Sequence, residues 1–188
     1  IPVDKLRIQF GAYGKPRLEN KQGISFSMSN GQRYVVQYLS RRGNSLSEVG
    51  IDIASKEDYV DGEDIEMLRD IFSSSEYDHL KSISQEVEQK SLFAYYWSLK
   101  ECYTKLTGVG LNCDLSRINF GEIELLTTPA VLERTIENFP VIFYSQWIGP
   151  DRNEVVTVCF HPNPNRVLHN CLPKLYRISL DELTQYAA

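Results

Sequence analysis

The sequence predicts an α+β fold in which an antiparallel sheet packs on a long helix. Three observations carry this. Up to about residue 55, short apolar runs are separated by turn residues; the middle of the chain then switches to helical spacing; after about residue 115 short β-rich runs return. Strands, then helices, then strands is the order expected of an α+β domain. The chain has 188 residues, 42% hydrophobic and 24% charged, enough to bury a core without disulfide staples.

Each element has its own signal. Gly11-Ala12-Tyr13-Gly14-Lys15-Pro16 reads as a loop, and Ile24–Met28 alternates apolar and polar as a half-buried strand does. Asn30-Gly31 suits a tight hairpin leading into a second strand over Tyr34–Leu39. Val49–Ile53 is a third strand. Asp61 caps an expected helix with Ile65, Leu68 and Phe72 on one face. Ser75 with Asp78 resembles a capping box before Tyr77, Leu80 and Ile83. A long helix spans roughly Val87 to Thr107, stopped by Gly108. Strands are expected over Arg117–Ile123, Val141–Trp147 and Glu154–Phe160, with a closing helix over Ser179–Tyr186.

Composition removes several function classes. Twenty Lys and Arg against 25 Asp and Glu give a net charge of −5, with Arg41-Arg42 the one basic doublet, so nucleic acid is not an expected partner. No apolar run approaches the ~18 residues of a membrane span. The first ten residues carry Asp4, Lys5 and Arg7 and do not read as a secretory signal; the initial Ile1 reads as a fragment or processed product. Four cysteines (Cys102, Cys113, Cys159, Cys171) are read as reduced thiols of a cytoplasmic protein. The pairs Cys159-x-His161 and His169-x-Cys171 fit no usual zinc spacing. Asp58, Asp61, Glu63 and Asp64 lack the register of a calcium loop.

The long helix and the third strand hold the chemistry. On a helical wheel Leu92, Tyr96, Leu99, Tyr103 and Leu106 form one apolar stripe, while Glu101 and Lys105 share the other face with Ala94, Trp97 and Gly108. A solvated ion pair is the plainest account of Glu101 and Lys105. A tryptophan among small residues on that face argues instead for a pair lining a cleft. Asp52 interrupts the apolar run Val49–Ala54, either to cap a turn or to stand at the mouth of that cleft. One strand carboxylate and one helix carboxylate suit Mg²⁺ completed by phosphates and water, with Lys15 and Lys105 available to neutralise those phosphates.

Val49-Gly50-Ile51-Asp52, followed 49 positions after Asp52 by Glu101 within Trp97-Ser98-Leu99-Lys100-Glu101-Cys102-Tyr103-Thr104-Lys105, resembles the signature of the 4′-phosphopantetheinyl transferases of the two-lobed, surfactin-synthetase-activating type. Gly14-Lys15-Pro16 and Phe26-Ser27-Met28-Ser29 fall in family order upstream. The resemblance implies a pseudo-twofold, two-lobed fold, with residues 1–46 the C-terminal part of the first lobe and 47–188 the second lobe. It implies transfer of the phosphopantetheine arm of coenzyme A to a serine of an acyl or peptidyl carrier domain, releasing 3′,5′-ADP. Asp52 and Glu101 would bind Mg²⁺, and Glu101 would also take the serine proton. Lys105 would stabilise the departing phosphate. Lys15, Ser29, Asn30, Lys100 and Lys105 would contact coenzyme A.

Two positions depart from the family pattern. Ala54 stands where many relatives carry a second acid, so water or a hairpin side chain such as Gln32 is expected to complete the metal shell. Asn30 stands where a histidine usually contacts a coenzyme A phosphate. The missing acid leans toward the enzymes that prime aminoadipate reductase in fungal lysine synthesis. A monomer is expected, docking its carrier through a basic patch around Arg41-Arg42. The competing reading is a non-catalytic module of the same fold that binds coenzyme A or a carrier domain.

Overall fold

The computed structural model describes residues 7–19, 24–41, 48–59, 68–162, 173–179 and 181–182. Among these residues eight strands and two α-helices are formed. A short antiparallel pair, β1 (Ile8–Phe10) and β2 (Pro16–Leu18), precedes the hairpin β3 (Ile24–Asn30) and β4 (Val35–Arg41). The second half forms one four-stranded antiparallel sheet in the order β5 (Val49–Ser55), β8 (Glu154–Phe160), β7 (Phe139–Ile148), β6 (Ala130–Ile136). Helices α1 (Ser74–Ser82) and α2 (Glu86–Thr107) lie between β5 and β6 in the chain.

The sheet is covered on both faces. On one, α2 buries Leu92, Tyr96, Leu99, Cys102, Tyr103 and Leu106 against Ala54, Val155 and Cys159. On the other, Val49, Ile51, Ile53, Val156, Val158 and Phe160 meet Val36, Tyr34 and Tyr38 of the hairpin region. Every residue of β5 and β8 is buried in consequence, and both read as continuous apolar runs rather than as alternating strands. Gly50 lets β5 reach α2: a Cβ there would lie 2.1 Å from the Cys102 carbonyl oxygen and 2.9 Å from the Cys159 sulfur.

Most expected elements form close to their expected limits. α2 ends at Gly108, which takes the left-handed conformation at φ 82° and donates its N–H to the Thr104 carbonyl. The capping box of α1 sits two residues earlier than expected, with Ser73 and Glu76 as its members. The tight Asn30-Gly31 turn is replaced by a four-residue connection: Asn30 stays in β3 opposite Val35, and Gly31 N donates to the Tyr34 carbonyl at 2.8 Å.

Two expectations are corrected. Residues 117–123 form no strand. Ile118 and Phe120 do alternate inward, but the Ile118 carbonyl accepts from Lys100 and the Phe120 N–H donates to Glu76, so neither pairs with a strand. Strand β6 was not anticipated because Arg134 occupies one of its inward positions, where its Nε donates to the Phe120 carbonyl at 3.2 Å. Its turn into β7 has Glu137 and Asn138 at φ 51° and 68°, the backbone a two-residue hairpin demands. The expected helix start at Asp61 and most of the closing helix lie outside the described residues, as do Arg42, His169 and Cys171. Cys102, Cys113 and Cys159 are free thiols, and His161 Nδ1 lies 2.9 Å from the Pro140 carbonyl.

Candidate active site

Three elements bring the polar cluster together. α2 sets Glu101 and Lys105 on one face, one turn apart. β5 sets Asp52 toward that face, and β3 lies beside the outer edge of β5. No backbone ladder joins β3 to β5. Serine side chains do that work: Ser27 Oγ accepts the Ile51 N–H at 3.2 Å, and Ser29 Oγ donates to Asp52 Oδ1 at 2.8 Å. On that edge of β5 the Ile51 N–H is thereby satisfied without a partner strand.

Lys105 closes the triangle. Its Nζ donates to Asp52 Oδ1 at 2.6 Å and to Ser29 Oγ at 2.7 Å. Asp52 is 4% exposed, and burial pushes its carboxyl above the usual range, against the pull of Lys105 and Ser29. Glu101 is raised as well, first by burial and then by the charge of Asp52, with Lys105 opposing. One oxygen of each carboxylate, Asp52 Oδ2 and Glu101 Oε1, is buried without a hydrogen-bond partner. Two carboxylates thus face one ammonium, with two hard oxygen donors left over.

That donor set fits a divalent cation of the Mg²⁺ type. Among the described residues no cluster of three or more acidic, His or Cys side chains stands ready for a metal. Mg²⁺ needs no such cage, because one or two carboxylates with substrate phosphates and water hold it. Asp52 and Glu101 are the residues that could do so here. Gln32 is exposed at the β3–β4 connection, where its backbone N–H is bound by Glu154.

The expected coenzyme A contacts divide. Lys105 and Ser29 belong to the cluster. Asn30 is exposed and, one residue on from Ser29 in a strand, points to the other face. Lys15 spans from the loop before β2 to the far end of β5. Its ammonium pairs with Glu48 at 2.7 Å and donates to the Val49 and Leu106 carbonyls, which accounts for three N–H groups. Lys100 lies apart from the cluster. It is fully buried on another side of α2, where Nζ pairs with Glu76 at 2.8 Å and donates to the Leu115 and Ile118 carbonyls. A lysine adjacent to Glu101 in sequence is about 100° away around the helix, so it cannot share that residue's cleft.

Two groups around the site escaped the sequence reading. Ser98 Oγ lies 2.7 Å from Thr157 Oγ1, which lies 2.9 Å from Ser145 Oγ, a buried hydroxyl line from α2 through β8 to β7. Glu154 is a buried acid opening an apolar strand. The anomaly that singled out Asp52, a carboxylate within an apolar run, also marks Glu154 in Glu154–Phe160.

Comparison with known proteins assigns the chain to a family. The family model of the 4′-phosphopantetheinyl transferase superfamily matches residues 48–159, the stretch from β5 to β8. The chain is 40% identical over 189 residues to an L-aminoadipate-semialdehyde dehydrogenase-phosphopantetheinyl transferase of Saccharomyces cerevisiae, covering 99% of this chain and 67% of the relative. It is 39% identical over 152 residues to the protein of the same name in Candida glabrata, covering 80% and 56% of the two chains. A 4′-phosphopantetheinyl transferase of Bacillus pumilus is 30% identical over 117 residues, 62% of this chain and 46% of that one. The chain therefore spans about half to two thirds of the length of these relatives. With Asp52, Glu101 and Lys105 converging between β5 and α2 inside the matched region, the chain belongs to the 4′-phosphopantetheinyl transferase superfamily.

Proposed function

We propose that this chain carries the active-site part of an Mg²⁺-dependent enzyme that moves 4′-phosphopantetheine from coenzyme A to a carrier-domain serine. The observation that carries the reading is the buried Asp52–Lys105–Ser29 triangle beside Glu101, with one unpartnered oxygen on each carboxylate. The names of the relatives support the carrier domain of L-aminoadipate-semialdehyde dehydrogenase as the acceptor. Residues 1–46 are read as the end of a first lobe and 47–188 as the second, acting as a cytoplasmic monomer. No helix among the described residues is long and apolar enough to cross a membrane.

In the reaction the serine oxygen forms a bond to the phosphorus nearest pantetheine while the bond to the 3′,5′-ADP moiety breaks. Glu101 accepts the serine proton. In the metal-free protein burial first and the neighbouring Asp52 charge second favour the protonated carboxyl of Glu101. Lys105 presents its ammonium to the charge gathering on the departing phosphate, while Asp52 and Ser29 hold Nζ in place. A bound Mg²⁺ would neutralise charge on the pyrophosphate. Asp52 and Glu101 would hold it, the Gln32 side chain would complete the shell, and Asn30 would contribute an uncharged hydrogen bond to coenzyme A.

The test is the intact mass of an apo carrier domain after incubation with the full-length protein, coenzyme A and Mg²⁺. A phosphopantetheine adduct that disappears with EDTA and with Glu101→Ala is expected. Coenzyme A binding that ignores Mg²⁺, with no adduct on any carrier, would replace this reading by that of a non-catalytic binding module.

A further inference from the structure

Glu154 is 2% exposed at the head of β8, on the sheet face that packs against the β3–β4 hairpin. A carboxylate in such surroundings is costly unless polar hydrogens meet it. Its Oε1 accepts the backbone N–H groups of Gln32 at 2.8 Å and of Arg33 at 3.4 Å, while Oε2 is buried without a partner. Two successive backbone N–H groups aimed at one anion form a small nest. Gly31 makes the approach possible. A Cβ on it would lie 2.1 Å from Glu154 Oε1 and 3.1 Å from the Ile53 side chain. Arg33 adds an exposed ion pair to Asp151 at 2.5 Å, on the turn just before β8.

The grip has a consequence for the cluster, because β3 meets β5 through two serine hydroxyls rather than a ladder. Hydroxyl contacts tolerate sliding that a ladder forbids. A slide of one residue, about 3.3 Å, would take Ser29 away from Asp52 and Lys105. We propose that Glu154 is a positioning residue: by holding the β3–β4 connection it fixes where Ser29 and Gln32 stand relative to Asp52. The catalytic consequence rests on the function proposed above; the grip itself does not.

The experiment uses the full-length protein with Glu154→Ala, Glu154→Gln and Gly31→Ala. Amide exchange at Gln32 and Arg33 reads the grip, and calorimetry with coenzyme A and Mg²⁺ reads the site. In Glu154→Ala both amides are expected to exchange at least about tenfold faster, and coenzyme A affinity in Mg²⁺ to fall about tenfold, in line with loss of a charged acceptor. Apparent KM should rise more than kcat falls. Glu154→Gln keeps a carbonyl acceptor and should restore most of both effects, while Gly31→Ala, which displaces Oε1, should reproduce the loss. Unchanged exchange at Gln32 and Arg33 in Glu154→Ala overturns the proposal. So does faster exchange with unchanged coenzyme A affinity, which would make Glu154 merely structural. Wild-type protein that binds no coenzyme A overturns the functional reading instead, and amide exchange alone then decides the grip.

Discussion

Replacing Lys100 by methionine separates a structural lysine from a coenzyme A ligand. In the folded protein Lys100 and Glu76 are both fully buried, and burial pulls the lysine pKa down against the opposing charge of Glu76. Lys100→Met leaves the Glu76 carboxylate in the interior with only the Ser73 and Phe120 N–H groups, and takes the ammonium donor from the Ile118 carbonyl and from the Leu115 carbonyl, which keeps the Ile118 N–H. Removing one member of a buried pair costs about 3–5 kcal/mol. At roughly 2–4 °C per kcal/mol for a chain of this size, the melting temperature should fall by about 6–20 °C. Pairing it with Glu76→Gln removes the stranded charge and should recover roughly 2 kcal/mol or more of the loss. Chemical denaturation gives the stabilities, and steady-state kinetics on the surviving folded protein gives KM for coenzyme A. A stability loss below about 1 kcal/mol, together with a sharply raised KM, would refute the reasoning and return Lys100 to the substrate.

Asp52→Ala and Glu101→Ala should each lower kcat by about 10²–10⁴-fold while unfolding cooperatively; near wild-type transfer by either variant in the mass assay would remove it from the mechanism. Gly50→Ala must push α2 away from β5, so a loss of about 1–3 kcal/mol and weakened Mg²⁺ binding are expected from denaturation and calorimetry; an unaffected protein would mean the contact yields freely. The folded pKa of Glu101 lies above its unfolded value, so the folded state holds the extra proton and stability from this group falls as pH rises through that window. Glu101→Gln should therefore gain on the wild type with rising pH in metal-free melting curves, and Mg²⁺ should stabilise the wild type more at pH about 8 than at about 5; parallel curves would contradict both statements.

What could be read in advance followed from local rules. Gly108 stops α2 where a left-handed residue is needed, and β8 has the limits its apolar run suggests. Asp52, Glu101 and Lys105 were legible because a charge on an otherwise covered face demands a partner. What was not legible shares one cause. Lys15 and Lys100 sit in the right motifs, but a lysine's work depends on which carbonyls and carboxylates stand around it, and those come from residues 48–49, 76, 106, 115 and 118. The segment 117–123 looked like a strand because its side chains alternate; its backbone instead serves a buried ion pair. Glu154 carried a visible signal, but its partner is a pair of backbone N–H groups, which no side-chain pattern announces.

The hydroxyl line through Ser98, Thr157 and Ser145 bears on how α2 keeps its rotation. Twelve of its 22 residues are buried, spread over most of the helix circumference. A rod that is greasy nearly all round has little angular preference of its own, since turning it by one residue exchanges one apolar contact for another. The Ser98–Thr157 bond on the sheet side and the Lys100–Glu76 pair on another side act as two keys in two slots. Together they leave one orientation, the one that aims Glu101 and Lys105 at Asp52. Apolar residues of α2 are thus open to exchange for others of similar volume, whereas a transplant of this helix onto a different sheet would have to bring Thr157 and Glu76 with it.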